Sequence, residues 1–194
     1  MSLTPLIASF VLVAVAELGD KTQIAVITLS SRFKSLSVFL GAMLAFLLVT
    51  GIAVAFGDAL TRFLPRFWIR IVAAAIFLVF GVYTVFSKQD DTQVEKRETR
   101  NAVFSSFSLI TLMELGDKTQ FAVIALSAEY KLPLLVYLGV MMAFVLITAI
   151  GVTVGTALTR VVPLKHIRRG SGIVFIIFGI VFLAIAALGD PSFL

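Results

Sequence analysis

Hydrophobic residues run along this chain in long blocks rather than in the short alternations of strands. Six blocks reach about 20 residues, the length that crosses a hydrocarbon core of roughly 30 Å as helix. They fall at about 5–29, 36–57, 67–86, 103–127, 133–156 and 170–188. One strongly polar stretch, Ser87 to Asn101, crowds Lys88, Asp90, Asp91, Glu95, Lys96, Arg97, Glu98 and Arg100 into a segment without apolar periodicity and reads as a solvated linker. Two further interruptions lie inside blocks: Glu17, Asp20 and Lys21 in the first, and Glu114, Asp117 and Lys118 in the fourth. The pattern predicts an all-α integral membrane protein with six transmembrane helices. The first block lacks a charged start and an Ala-x-Ala exit, so it reads as a retained span rather than a signal peptide.

The polar interruptions repeat. Residues 16–23 read Ala-Glu-Leu-Gly-Asp-Lys-Thr-Gln and residues 113–120 read Met-Glu-Leu-Gly-Asp-Lys-Thr-Gln. The echo continues at nearly the same offset: Leu40-Gly41 answers Leu138-Gly139, Ala45-Phe46 answers Ala143-Phe144, and Ala59-Leu60-Thr61-Arg62 answers Ala157-Leu158-Thr159-Arg160, with Pro65 answering Pro163. The chain therefore reads as a duplication: residues 1–87 as a first three-helix repeat, 88–101 as a polar cytoplasmic linker and 102–194 as a second three-helix repeat. Three is odd, so the second repeat enters the membrane from the opposite side, a 3+3 inverted-topology repeat. The connections expected on one side carry Arg32, Lys34, Lys88, Lys96, Arg97, Arg100, Arg160, Lys165, Arg168 and Arg169, against Arg62, Arg66, Arg70 and Lys131 on the other. The positive-inside rule makes the first side cytoplasmic and places both termini outside.

Composition narrows the chemistry. With 60% hydrophobic and 14% charged residues, the chain does not have the surface of a soluble domain. Its net charge of +5 is accounted for by the basic loops and calls for no nucleic-acid partner. There is no cysteine, and His166 is the only histidine, so thiolate, iron-sulfur and the usual zinc and haem ligand sets are excluded. Any metal is held by oxygen. No nucleophile-base pair, histidine cluster or phosphate loop stands outside the repeated motif, so an enzyme is not expected.

The motif sits where charge costs most. Glu17 lies about 12 residues past the helix start near Pro5, roughly 18 Å into the bilayer. Each ionised group at that depth costs about 2.5–3.5 kcal/mol before pairing and hydration relieve it. On a continuous helix, Asp20 and Lys21 would share one face with Glu17; alternatively, Gly19 and Gly116 let the helices unwind and present backbone carbonyls to an ion, as hinges. An inverted repeat brings both motifs together near the midplane and collects four carboxylates, Glu17, Asp20, Glu114 and Asp117. Supplemented by Thr22, Thr119, Gln23 and Gln120, they form a hard oxygen environment suited to calcium or manganese. Lys21 and Lys118 tune the charge of the empty site and moderate its affinity. Protons and metal compete for the same oxygens, which with alternating access is a minimal mechanism of cation/proton exchange.

The doubled Glu-Leu-Gly-Asp-Lys-Thr motif, in a six-span chain with a polar central linker, resembles the small calcium/manganese-proton antiporter family marked by two Glu-x-Gly-Asp-Lys/Arg-Thr/Ser motifs. Its eukaryotic members serve the Golgi and chloroplast, and its bacterial members export manganese. The resemblance covers essentially the whole chain. It implies that Glu17, Asp20, Glu114 and Asp117 bind the cation, that manganese or calcium is transported rather than permanently bound, and that metal leaves the cytosol against protons. The partners expected are a divalent ion, protons and the lipid bilayer, with homo-oligomerisation left open. The short chain and absent leader point to a multi-pass protein of a prokaryotic cytoplasmic membrane.

Simpler readings stand beside these. Asp58, whose counterpart is Thr156, is expected near a helix end in an interfacial role, and His166 among Lys165, Arg168 and Arg169 in a solvated loop. Trp68 with Arg66 and Arg70 reads as an interfacial anchor, and the phenylalanines as lipid-facing or core filler. Gly41, Gly51, Gly57, Gly139, Gly151 and Gly155 are expected to permit close helix packing. Two other functions compete with exchange. An exporter of basic amino acids or other organic cations predicts a larger apolar and aromatic pocket; a non-transporting scaffold predicts that Glu17 and Glu114 are dispensable.

Overall fold

The computed structural model describes residues 3–86, 101–161 and 164–188, with side chains except at 154–168 and 171. The order is α1 (Thr4–Glu17), α2 (Lys21–Ser30), α3 (Ser35–Phe63), α4 (Arg66–Phe86), α5 (Ala102–Glu114), α6 (Lys118–Tyr130), α7 (Pro133–Val161) and α8 (Leu164–Leu188). The bundle is all-α, and α3, α4 and residues 133–153 of α7 are each long and apolar enough to cross a membrane. Apolar side chains such as Val72 and Val79 on α4 and Ile173, Ile177 and Ile180 on α8 stand exposed, as hydrocarbon-facing residues of a multi-pass protein do. The expected linker 88–101 lies outside the described residues except for Asn101. That residue caps α5, its side chain accepting from the backbone N–H of Val103 at 3.1 Å and of Phe104 at 3.4 Å.

The first and fourth hydrophobic blocks are not continuous helices. Each is cut at its motif, into α1–α2 and α5–α6. Leu18 and Leu115 leave the helix with extended backbone, Gly19 and Gly116 follow with φ of 74° and 78°, and Asp20 and Asp117 stand extended at the N-caps of α2 and α6. A side chain at positions 19 or 116 would strain that left-handed step, which glycine takes freely. The shared-face geometry of an unbroken helix is thereby replaced by an unwound turn in each half.

Packing is reciprocal between the halves. Helix α1 lies on α7 as α5 lies on α3, while α3 crosses α7 at the centre and α4 packs along α8. Gly41 of α3 admits the backbone of α5 at Val103 and Ser106, and its repeat equivalent Gly139 admits α1 at Leu6 and Ser9. Ser9 Oγ donates across that contact to the Val136 carbonyl at 3.2 Å and within its own helix to Pro5 at 2.7 Å. Gly57 receives Ile124 and Ser127 of α6 in the same way. A Cβ at position 139 would overlap a carbonyl oxygen and the Ser9 hydroxyl, so Gly139→Ala is expected to lower stability by about 1–3 kcal/mol. Gly170→Ala, with nothing within 4 Å, is expected to leave it unchanged or raise it. Thermal unfolding of the two detergent-purified variants beside the parent compares them.

Candidate metal-binding site

The two unwound turns meet inside the bundle. There the C-terminal ends of α1 and α5 bring Glu17 and Glu114, and the N-terminal ends of α2 and α6 bring the aspartates. Glu17 and Glu114 are each 2% exposed, a depth at which an unpaired carboxylate is untenable. One carboxylate oxygen from each of Glu17, Glu114 and Asp117 lies within 4.8 Å of the others. Ligands on opposite sides of a calcium-sized ion stand about 5 Å apart, so the trio is spaced to share one ion.

Each motif lysine reaches across to the other half. Lys21 Nζ is 2.7 Å from Asp117 Oδ1 and Lys118 Nζ is 2.7 Å from Asp20 Oδ2. The threonines cross in the same sense, Thr22 Oγ1 donating to Glu114 Oε1 at 2.6 Å and Thr119 Oγ1 to Glu17 Oε1 at 2.5 Å. Four crossed contacts thus tie the repeats together at their most polar point. The pairing explains why neither aspartate side chain caps its own helix, although each occupies an N-cap position. Asp117 Oδ2 remains buried with no hydrogen-bond partner, an open acceptor on the trio's own side chain.

Of the other sequence candidates, Asp20 is held by Lys118 and is not a member of the trio. Gln23 and Gln120 spend their amide oxygens on the backbone. Gln23 accepts from the Gly19 N–H, and Gln120 from the Gly116 N–H at 2.7 Å. Both glutamines therefore brace the unwound turns. Asp58 lies away from the cluster, 3.7 Å from Arg62 in an exposed pair one turn apart on α3. Trp68 is half exposed and meets Phe67 edge-on. The side chains of His166, Thr156 and Gly155's surroundings lie outside the described residues.

Composition-based reading missed two features. Phe46 and Phe144 lie in the buried core, as core filler does, and there they stack face to face with centroids 3.7 Å apart and planes 15° apart. Beside them a small cavity is lined by Glu17, Thr22, Gln23, Val26, Phe46, Phe144, Ile147 and Thr148. Thr148 and its repeat equivalent Thr50 are both buried polar residues. The signal was in the repeat, which pairs Ala45-Phe46 with Ala143-Phe144.

Buried oxygen donors gathered at helix breaks in a multi-pass bundle define a secondary cation transporter. The sequence profile described as "Divalent cation/proton antiporter GDT1" matches residues 5–92 and 102–190, and the chain belongs to that family. Over 211 residues it is 26% identical to GDT1-like protein 5 of Oryza sativa, covering 89% of this chain and 90% of the relative. It is 28% identical to GDT1-like protein sll0615 of Synechocystis, covering 92% and 96%. A Vibrio cholerae protein named provisionally as a manganese exporter is also 28% identical, covering 89% and 86%. No solved structure gives a significant match. The protein is thus a divalent cation/proton antiporter and not an enzyme, and the divalent metal is its cargo rather than a resident cofactor.

Proposed function

We propose that the protein exports manganese or calcium from the cytosol in exchange for protons, binding the ion at Glu17, Glu114 and Asp117 with Asp20 as the fourth carboxylate of the cycle. The observation that carries this is the trio itself, contributed by both halves within 4.8 Å. Oxygen-only ligation suits manganese and calcium and offers no soft donor for copper or zinc. Fully ionised, the cluster's four carboxylates and two lysines leave two negative charges, which one divalent cation or two protons neutralise. Exchange of one metal for two protons keeps the buried site near neutrality at every stage, which lessens the desolvation cost of the empty and loaded forms.

In this reading each broken pair, α1–α2 and α5–α6, is a single crossing, so the chain makes six crossings in two inverted repeats. Both termini face outward, and the membrane is a prokaryotic cytoplasmic one. Reciprocal glycine seats and crossed lysine-aspartate pairs support the pseudo-symmetry, and the basic loops support the orientation. The close spacing of the trio favours a monatomic ion over an organic cation.

Purified protein sealed in liposomes with an internal pH dye supplies the test. Manganese or calcium added outside is expected to drive proton movement, magnesium to be a poorer substrate because it sheds water reluctantly, and lysine to have no effect. Flux with lysine and none with any metal would replace this reading by organic-cation export.

A further inference from the structure

The two ends of the bundle are not closed alike. At one end α6 is docked on α3 and α4. Gly57 receives Ile124 and Ser127, and Ser127 Oγ donates to the Val54 carbonyl at 2.9 Å. Arg70 of α4 grips Glu129 in a forked pair, with Nε 2.9 Å from Oε2 and Nη2 2.9 Å from Oε1, both side chains largely buried. At the other end α2 faces α7, and the small cavity beside Glu17 is lined there by Gln23, Val26, Ile147 and Thr148.

The repeat shows which bond that second end lacks. Aligned on the motifs, Ser30 is the equivalent of Ser127; one residue further on, in the register that pairs Gly41 with Gly139 and Phe46 with Phe144, Val152 is the equivalent of Val54. Ser30 Oγ is buried without a hydrogen-bond partner, whereas the Val152 carbonyl accepts from Ser35 Oγ at 3.3 Å. A buried hydroxyl left unbonded is costly, and here it stands in the position from which its twin makes a bond. The ion pair is not repeated in the sequence: the equivalents of Arg70 and Glu129 are Arg168 and Arg32, two cations.

We propose that Ser127 and Ser30 are the alternating gate donors of the transport cycle. Ser127 closes the α3–α6 end by bonding the Val54 carbonyl. In the opposite state Ser127 lets go, Ser30 takes the Val152 carbonyl from Ser35, and the α2–α7 end closes. The Arg70–Glu129 pair, whose repeat equivalents are two arginines, makes the state seen here the resting one. This rests on the inverted-repeat exchange reading, in which the α2–α7 end is cytoplasmic, so the resting carrier is unlatched on its cytosolic side.

The natural chain has no cysteine, so single cysteines report each end without background. Thr148→Cys reports the α2–α7 end and Thr50→Cys its twin at the α3–α6 end. Both are reacted with a polar maleimide in nanodiscs, where reagent reaches both faces. Thr148 and Thr50 are both buried, at 3% and 4% exposure, so the parent's 50-to-148 labelling ratio serves as the reference. Ser127→Ala should raise the 50-to-148 labelling ratio by about 2- to 10-fold and Ser30→Ala should lower it by a similar factor, the effect of one hydrogen bond on a two-state equilibrium. Glu129→Gln should raise it by about 10-fold or more, since the bonds lost are charge-assisted. If Glu129→Gln does not fold, the two alanine variants still decide. Shifts of the same sign in both, or none in either, overturn the proposal. Metal-driven proton flux in the parent is measured separately: flux without opposed shifts rejects the gate alone, and opposed shifts without flux reject the exchange reading alone.

Discussion

Glu17→Gln and Glu114→Gln are each expected to lower metal-driven proton exchange by on the order of 100-fold or more. Loss of a supporting group around a metal typically costs 10–100-fold, and these residues supply the ligand oxygens themselves. Glutamine keeps the size of the side chain and an oxygen that still accepts from Thr119 or Thr22, so the crossed hydrogen bonds survive. What is lost is one negative charge and one exchangeable proton. Proteoliposome flux together with equilibrium binding of manganese separates the two losses. If either variant retained near-parental flux while folding normally, the trio would not be the transport site.

Lys118→Met is expected to be the most destabilising change in the cluster, by about 3–5 kcal/mol, because it strands Asp20 as an uncompensated charge. Lys21→Met should cost less. The Lys21 ammonium is the better solvated, its side chain 36% exposed against 12% for Lys118, so its pair with Asp117 is the more screened and the weaker of the two. Adding Asp20→Asn to Lys118→Met should recover most of the stability without restoring transport, since the pair can be neutralised as a unit but a carboxylate of the cycle is gone. Thermal unfolding of the single and double variants, run as a double-mutant cycle, measures the coupling. A double variant no more stable than Lys118→Met would mean that the lysine acts through packing rather than charge.

The all-α bundle and its membrane-length helices were legible in the sequence because spans are read from long apolar runs. The backbone at the motif was half legible. Glycine in a charged mid-span segment allows a break, but only the φ of 74° and 78° at Gly19 and Gly116 shows that the break is made. The crossed pairing was not legible. Asp20 and Lys21 are neighbours in the chain, and adjacency suggests a local partnership. Once Asp20 is an N-cap and Lys21 the first helical residue, each reaches the other half instead. Gln23 and Gln120 were expected among the ion's oxygens for their chemistry. Their place four residues after Gly19 and Gly116 turns them toward amide groups that the broken helices leave unbonded. Asp20 and Asp117 are identical in motif yet differ in the structure, since only Asp117 joins the trio. A repeat in sequence is symmetric, whereas any one state of an alternating machine is not.

The stacked rings of Phe46 and Phe144 have a consequence for what substitutions the chain tolerates. They are matching positions of the repeated sequence, and they are in direct contact. Each ring is the other's packing surface in the buried core, so a change of shape at one position is felt at the other. A flat ring stacks on a ring, whereas an aspartate at either position would set a buried charge against an aromatic face. Positions 46 and 144 are therefore coupled through one contact: what either can become depends on what the other is.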